Sequence, residues 1–121
     1  MKFTEDYVSF EVAKLLKEKE FNWDCITYYV DYEPDNVKYS MLFENNTTWE
    51  KLCCSAPTHQ MAMKWLREEH KIFIRIVEDV LGKVFELQIY QHGNCKLHNR
   101  VRDSYEEAVE VALKYVLENL I

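Results

Sequence analysis

The side chains of this chain that could do chemistry begin with Cys53-Cys54-Ser55, followed by His59 and His70. A cysteine beside a histidine can act as a nucleophile with its base. Nothing in the spacing supplies a third orienting group or an oxyanion loop. Neighbouring cysteines on a strand leave it on opposite faces, which makes Cys53-Cys54 a poor zinc or redox motif, and there is no C-x-x-C. With Cys25 and Cys95, the expectation is four reduced, mostly buried thiols, and a small thiol-dependent enzyme is the alternative. Asp31-Tyr32-Glu33-Pro34-Asp35 places acids at alternate positions, which can gather a hard cation such as Ca²⁺. Val37 stands near where the sharp-turn glycine of such a loop belongs and Leu42 where its final glutamate belongs, so a solvated hairpin turn is expected. His59, His70, His92 and His98 form neither H-x-x-x-H nor H-E-x-x-H. With two glycines the chain has no G-x-G-x-x-G, no P-loop and no G-x-S-x-G elbow. No catalytic residue, metal or cofactor is assigned, and the chain reads as a non-enzyme.

Charge is the strongest local anomaly. Residues 1–60 carry six lysines against eleven acids, and residues 61–121 nine Lys and Arg against ten. Between Leu87 and Arg102 there is no acid at all. There Lys96, His98, Arg100 and Arg102 alternate with Leu97, Asn99 and Val101, so a strand would put the four basic side chains on one face. That row could contact the phosphates of a nucleic acid or an acidic partner. The alternative is a solvated face or a charged sheet edge, which the net charge of −6 favours. Tyr28, Tyr29, Tyr32, Tyr39 and Tyr90 could stack bases, but most are expected to face or cover the core.

The elements that must position these groups follow from periodicity. Val8, Val12, Leu15 and Leu16 mark one face of a helix from about Val8 to Glu20, with Ser9 as N-cap and Phe21 and Trp23 folding back on its end. Ile26–Tyr32 and Lys38–Phe43 read as a hairpin turning through Glu33-Pro34-Asp35-Asn36. Glu44–Thr48 is a polar loop, its two Asn-x-Thr sequons included, and Trp49–Cys54 a short strand. Thr58 caps a helix to about His70, with Met61, Ala62, Trp65 and Leu66 buried. Ile72–Val77, Val84–Tyr90 and Lys96–Arg102 form a meander turning through Gly82 and His92-Gly93-Asn94. Ser104-Tyr105-Glu106-Glu107 is a capping box opening a last helix striped by Tyr105, Ala108, Val109, Ala112, Leu113, Val116, Leu117 and Leu120. The fold class is α+β in the order α-ββ-α-βββ-α: a hairpin plus a three-stranded meander in an antiparallel sheet, its three helices mainly on one face.

At 121 residues and without a linker this is expected to be a single domain spanning 1–121. Hydrophobic residues at 48% and aromatics at 14% exclude intrinsic disorder. Glu5 and Asp6 interrupt any signal-peptide pattern and no run approaches a membrane span, so a soluble, cytoplasmic protein without a membrane partner is expected. Three Trp, eight Tyr and six Phe exceed what one core of this size needs. Phe10, Met63, Val111, Tyr115 and Ile121 fall off the helical stripes and are expected to be partly exposed.

One resemblance spans nearly the whole chain. Phe10-Glu-Val-Ala-Lys-Leu-Leu-Lys-Glu-Lys-Glu-Phe21, Ser55-Ala-Pro-Thr58, Lys64-Trp-Leu-Arg-Glu-Glu-His70 and Ser104-Tyr-Glu-Glu-Ala108 together resemble a family of small uncharacterised proteins. Gut anaerobes of the Bacteroides type carry them, as do their phages and prophages. The resemblance implies an intracellular, phage-encoded or mobile-element accessory protein and assigns no site residue. Glu20 stands where that pattern has glycine before Phe21, which predicts a different end for the first helix. The expectation is a non-enzymatic module that binds a protein or a second copy of itself as a homodimer. A nucleic-acid role for strand 96–102 is the alternative.

Overall fold

The computed structural model describes residues 6–79, 81, 84–101 and 104–121. It contains α1 (Phe10–Glu18), β1 (Cys25–Val30), β2 (Glu33–Glu44), β3 (Cys53–Ser55), α2 (His59–His70), β4 (Ile72–Glu78), β5 (Phe85–Gln91), β6 (Asn94–Val101) and α3 (Tyr105–Asn119). The class is α+β, as expected. The strands form two three-stranded antiparallel sheets, β2-β1-β3 and β4-β5-β6. The short strand expected over Trp49–Cys54 is found only at Cys53–Ser55, where β3 joins the hairpin as a third strand by pairing with β1. The chain divides into two compact units, Met1–Gln60 and Met61–Ile121.

In the first unit, the Ser9 hydroxyl accepts from the Val12 N–H at 3.2 Å and so caps α1. The helix ends through Glu20, which adopts φ 66°. Phe21 N–H donates to Leu16 O at 2.9 Å and Glu20 N–H to Lys17 O at 3.1 Å. Those two bonds, with Leu16 and Phe21 both buried, make a Schellman termination in which glutamate takes the left-handed position that glycine favours. The helix therefore ends as a glycine-terminated one would, against the expectation drawn from Glu20.

β1 alternates. Cys25, Thr27 and Tyr29 are buried; the Thr27 hydroxyl donates to Ala56 O and the Tyr29 hydroxyl to Val8 O, both at 2.7 Å. Ile26 and Tyr28 face the other way. The hairpin turns two residues earlier than expected, at Asp31-Tyr32, because Val30 pairs with Glu33. Pro34 and its neighbours instead lie within β2. Tyr28 pairs with Lys38, so four residues of β2 (34–37) oppose Tyr29 alone, and four more (40–43) oppose Ile26 between the Thr27–Tyr39 and Cys25–Glu44 pairs. Each excess residue must bulge away from the ladder.

In the second unit, Leu87 and Ile89 of β5 are fully buried, as is Ile72 of β4, and α3 packs across all three strands with Ala108, Val109, Ala112, Leu113, Val116 and Leu117. Ser104 caps α3 by accepting from Glu107 N–H at 3.0 Å, and Tyr105, expected on the stripe, is exposed. His92 (φ 53°) and Gly93 (φ 78°) form the two-residue turn between β5 and β6, closed by the Gln91–Asn94 pair. The turn residues Gly82, Lys83 and Val80 lie outside the described residues. On α2, Ala62, Trp65 and Leu66 are buried as expected; Met63 is buried too, whereas Met61 is half-exposed.

Candidate functional site

Most of the large exposed apolar side chains among the described residues are on the first unit, whereas four of the five positions expected to be partly exposed are so only moderately. Phe10, Val111, Tyr115 and Ile121 are half-buried and Met63 is buried. The outward side chains are on β2 and its surroundings: Met41 is 99% exposed, Leu42 73% and Phe43 70%, with Tyr32, Tyr39 and Leu52 also exposed. Met41, Leu42 and Phe43 occupy the second bulge, opposite Ile26. The loop is braced from within: the Ser40 hydroxyl accepts from Leu42 N–H at 3.2 Å and donates to a Glu44 carboxylate oxygen at 3.4 Å. Three consecutive large apolar side chains thus stand in water on an edge strand.

Beside the bulge lies a cleft of about 410 Å³, lined among others by Tyr28, Tyr32, Lys38, Ser40, Glu44, Trp49, Glu50 and Cys53. Its wall is built by the polar loop. Asn45 O accepts from Thr48 N–H at 2.9 Å and from Trp49 N–H at 3.0 Å. Asn46 Nδ2 donates to Phe21 O at 2.8 Å, while its Oδ1 accepts from Ser55 N–H at 2.9 Å. Trp49 is thereby held over Tyr28, their ring centroids 4.7 Å apart and tilted by 32°, and its indole N–H donates to the Ser55 hydroxyl at 2.7 Å. Lys38 pairs with Glu33 at 2.8 Å. That hydrogen bond is the main reason the Glu33 carboxyl sits below its ordinary pKa and the Lys38 ammonium above its own.

The cysteines separate as strand geometry demands. Cys53 opens on this cleft; Cys54 lines a different hollow with Lys14, Lys17, Glu18, Asp31 and Lys51, and no histidine lines either. Burial pushes the thiols of Cys25 and Cys54 up to about 11 and raises Cys53 as well. All three are protonated near neutrality, the opposite of an activated nucleophile. His59 is buried, and the His70 ring meets Trp65 edge-on at 4.7 Å. Cys95 is exposed. The acidic turn is engaged by the chain itself through Glu33 and Lys38. Among the described residues no three His, Cys, Asp or Glu side chains are grouped to hold a metal ion.

On β6, Lys96, His98 and Arg100 are exposed, and Arg102 lies outside the described residues. The row is not a plain alternation. Ile89 pairs with Leu97 and Tyr90 with Cys95, which leaves Lys96 as the extra residue of a bulge. Arg100 pairs across with Glu86, whose carboxylate lies 3.5 Å from the Arg100 guanidinium and 3.7 Å from His98 Nε2. The acid-free stretch of sequence is therefore met by an acid from the neighbouring strand. The Lys96 ammonium makes no ion pair with a described residue.

Sequence reasoning missed both the bulge and the cleft. The signal present in the sequence was Tyr39-Ser-Met-Leu-Phe43, an apolar run that breaks strict alternation on a strand flanked by turn residues. No helix among the described residues is long and apolar enough to cross a membrane. No family model matches the chain, and neither a curated protein nor a solved structure is significantly similar to it.

Proposed function

We propose that this chain is a non-enzymatic protein-binding module of the accessory kind its sequence resemblance implies. Its contact surface is the second bulge of β2. The observation that supports this is the solvent exposure of Met41, Leu42 and Phe43 on a hydrogen-bonded loop. Single exposed apolar side chains are ordinary; three in a row, joined by Tyr39 and braced from within, form a patch of the sort that seats a partner. The partner's chemistry follows from charge. The first unit carries six lysines against eleven acids, so the complementary surface is an apolar pocket rimmed by Lys or Arg. Two copies of this bulge would bring like-charged surroundings together, which favours a different protein over a homodimer.

The strand β6 is the weaker surface, because the Glu86 carboxylate lies against Arg100 and His98 and reduces the field a phosphate would meet.

The test is a photo-crosslinking residue at position 42 of the full-length protein, irradiated in the cells that make it. One discrete light-dependent adduct is expected, absent when the same residue replaces the exposed Glu106 of α3. A Met41→Ser, Phe43→Ser double variant should lose the interaction while changing stability by no more than about 0.5 kcal/mol per site, as exposed positions do. An adduct of two copies would replace the foreign partner with self-association. Identical products at positions 42 and 106, or none, would overturn the reading.

A further inference from the structure

We infer that the cleft beside the bulge receives a basic side chain, arginine or lysine, of the protein partner. This rests on the protein-binding reading of the same face. Three aromatic side chains, Tyr28, Tyr32 and Trp49, line the cleft together with the carboxylates of Glu44 and Glu50. Aromatic faces attract cations through their negative quadrupole, and carboxylates supply charge-assisted hydrogen bonds, so the two together suit an ammonium or guanidinium. The cleft already holds one cation of the chain itself, Lys38, in its lining. Lys38 is neutralised by Glu33 at 2.8 Å. The Glu44 carboxylate accepts from the Ser40 hydroxyl, and among the described residues neither Glu44 nor Glu50 pairs with a cation. Those two carboxylates are left to balance an incoming positive charge.

The volume suits it as well, since about 410 Å³ admits a long side chain and leaves one end open to the chain that carries it. The walls are fixed before any ligand arrives. Trp49 is held by Ser55, Ser55 by Asn46, and Asn46 by Phe21 O. A preset aromatic wall spares the cost of ordering it on binding.

The experiment uses N-acetyl-arginine amide as probe, with N-acetyl-citrulline amide as its neutral isostere, and follows the Trp49 indole N–H of the full chain by NMR. Trp49→Phe identifies that resonance among the three tryptophans. Saturable shifts at Trp49 and Glu50 are expected at probe concentrations of order 10 mM, the range a single exposed side chain can reach. Citrulline amide should bind at least about five-fold more weakly. A Glu44→Gln, Glu50→Gln double variant should lose a similar factor while its other resonances stay in place, and added salt should weaken binding. Equal shifts with both probes, or no shift at Trp49, would overturn the inference. The crosslinking at position 42 reads the bulge independently, so the cleft can fail while the bulge stands.

Discussion

Glu20 shows how much one backbone angle can decide. Its φ of 66° is a conformation that costs any side-chain-bearing residue energy, and glycine little. Its backbone bonds complete the end of α1 and bring Phe21 down onto Leu16. A Glu20→Gly variant should therefore be more stable by about 0.5–1 kcal/mol, seen as a rise in the thermal midpoint of roughly 2–5 °C. A fall would mean that the exposed glutamate side chain holds something the backbone does not show. Only the resemblance drawn from the sequence, whose pattern has glycine at this position, led to the expectation of a different helix end. It could not say that the left-handed turn persists without one, because that outcome depends on how much the burial of Phe21 offsets the strain.

At the scale of elements, local pattern and long-range pairing contribute unequally. α3 was legible to the residue at its start: Ser104 caps it by the expected bond, and the aliphatic stripe is buried. Replacing Ser104 with alanine should cost about 1 kcal/mol, measured by denaturant unfolding with an unchanged slope. The meander was legible too, since Ile72, Leu87 and Ile89 alternate as buried strands do. The hairpin was read two residues late, because Pro34 and Asp35 carry a strong local turn preference that the Val30–Glu33 pairing overrides. The cross-strand acid opposite the basic row was missed for a related reason: Glu86 is fourteen residues from Arg100 in sequence and adjacent to it only through register. Of the candidate sites, the thiols separated as strand geometry predicted. The cleft was invisible because it requires Tyr28 and Trp49 to meet across a loop fixed by asparagine side chains.

For the whole molecule, the buried thiols tie stability to alkaline pH. Cys25 and Cys54 have an ordinary value of 9.0 and stand at about 11 in the fold, chiefly through burial. The folded state therefore holds its thiol protons more tightly than the unfolded one. This contribution is fully present below about pH 9 and is lost as pH rises from 9 towards 11. Unfolding free energies measured across that window should decline, and the decline should shrink in a Cys25→Ala, Cys54→Ala variant relative to its own value at pH 8. A flat profile would show that neither thiol resists ionisation in the fold.

The two bulges of β2 carry a consequence of another kind. Among the described residues β2 is an edge strand, and an edge that displays Met, Leu and Phe in succession is the usual starting point for chains to stack into fibrils. Sheet growth needs a regular ladder of donors and acceptors on the outer side of the strand. Four residues against one, twice within twelve, interrupts that ladder. One amide of the apolar loop, that of Leu42, is already spent on Ser40. The same irregularity that presents the apolar side chains thus withholds the backbone beneath them, so the surface can be sticky to a shaped partner without serving as a template for its own polymerisation.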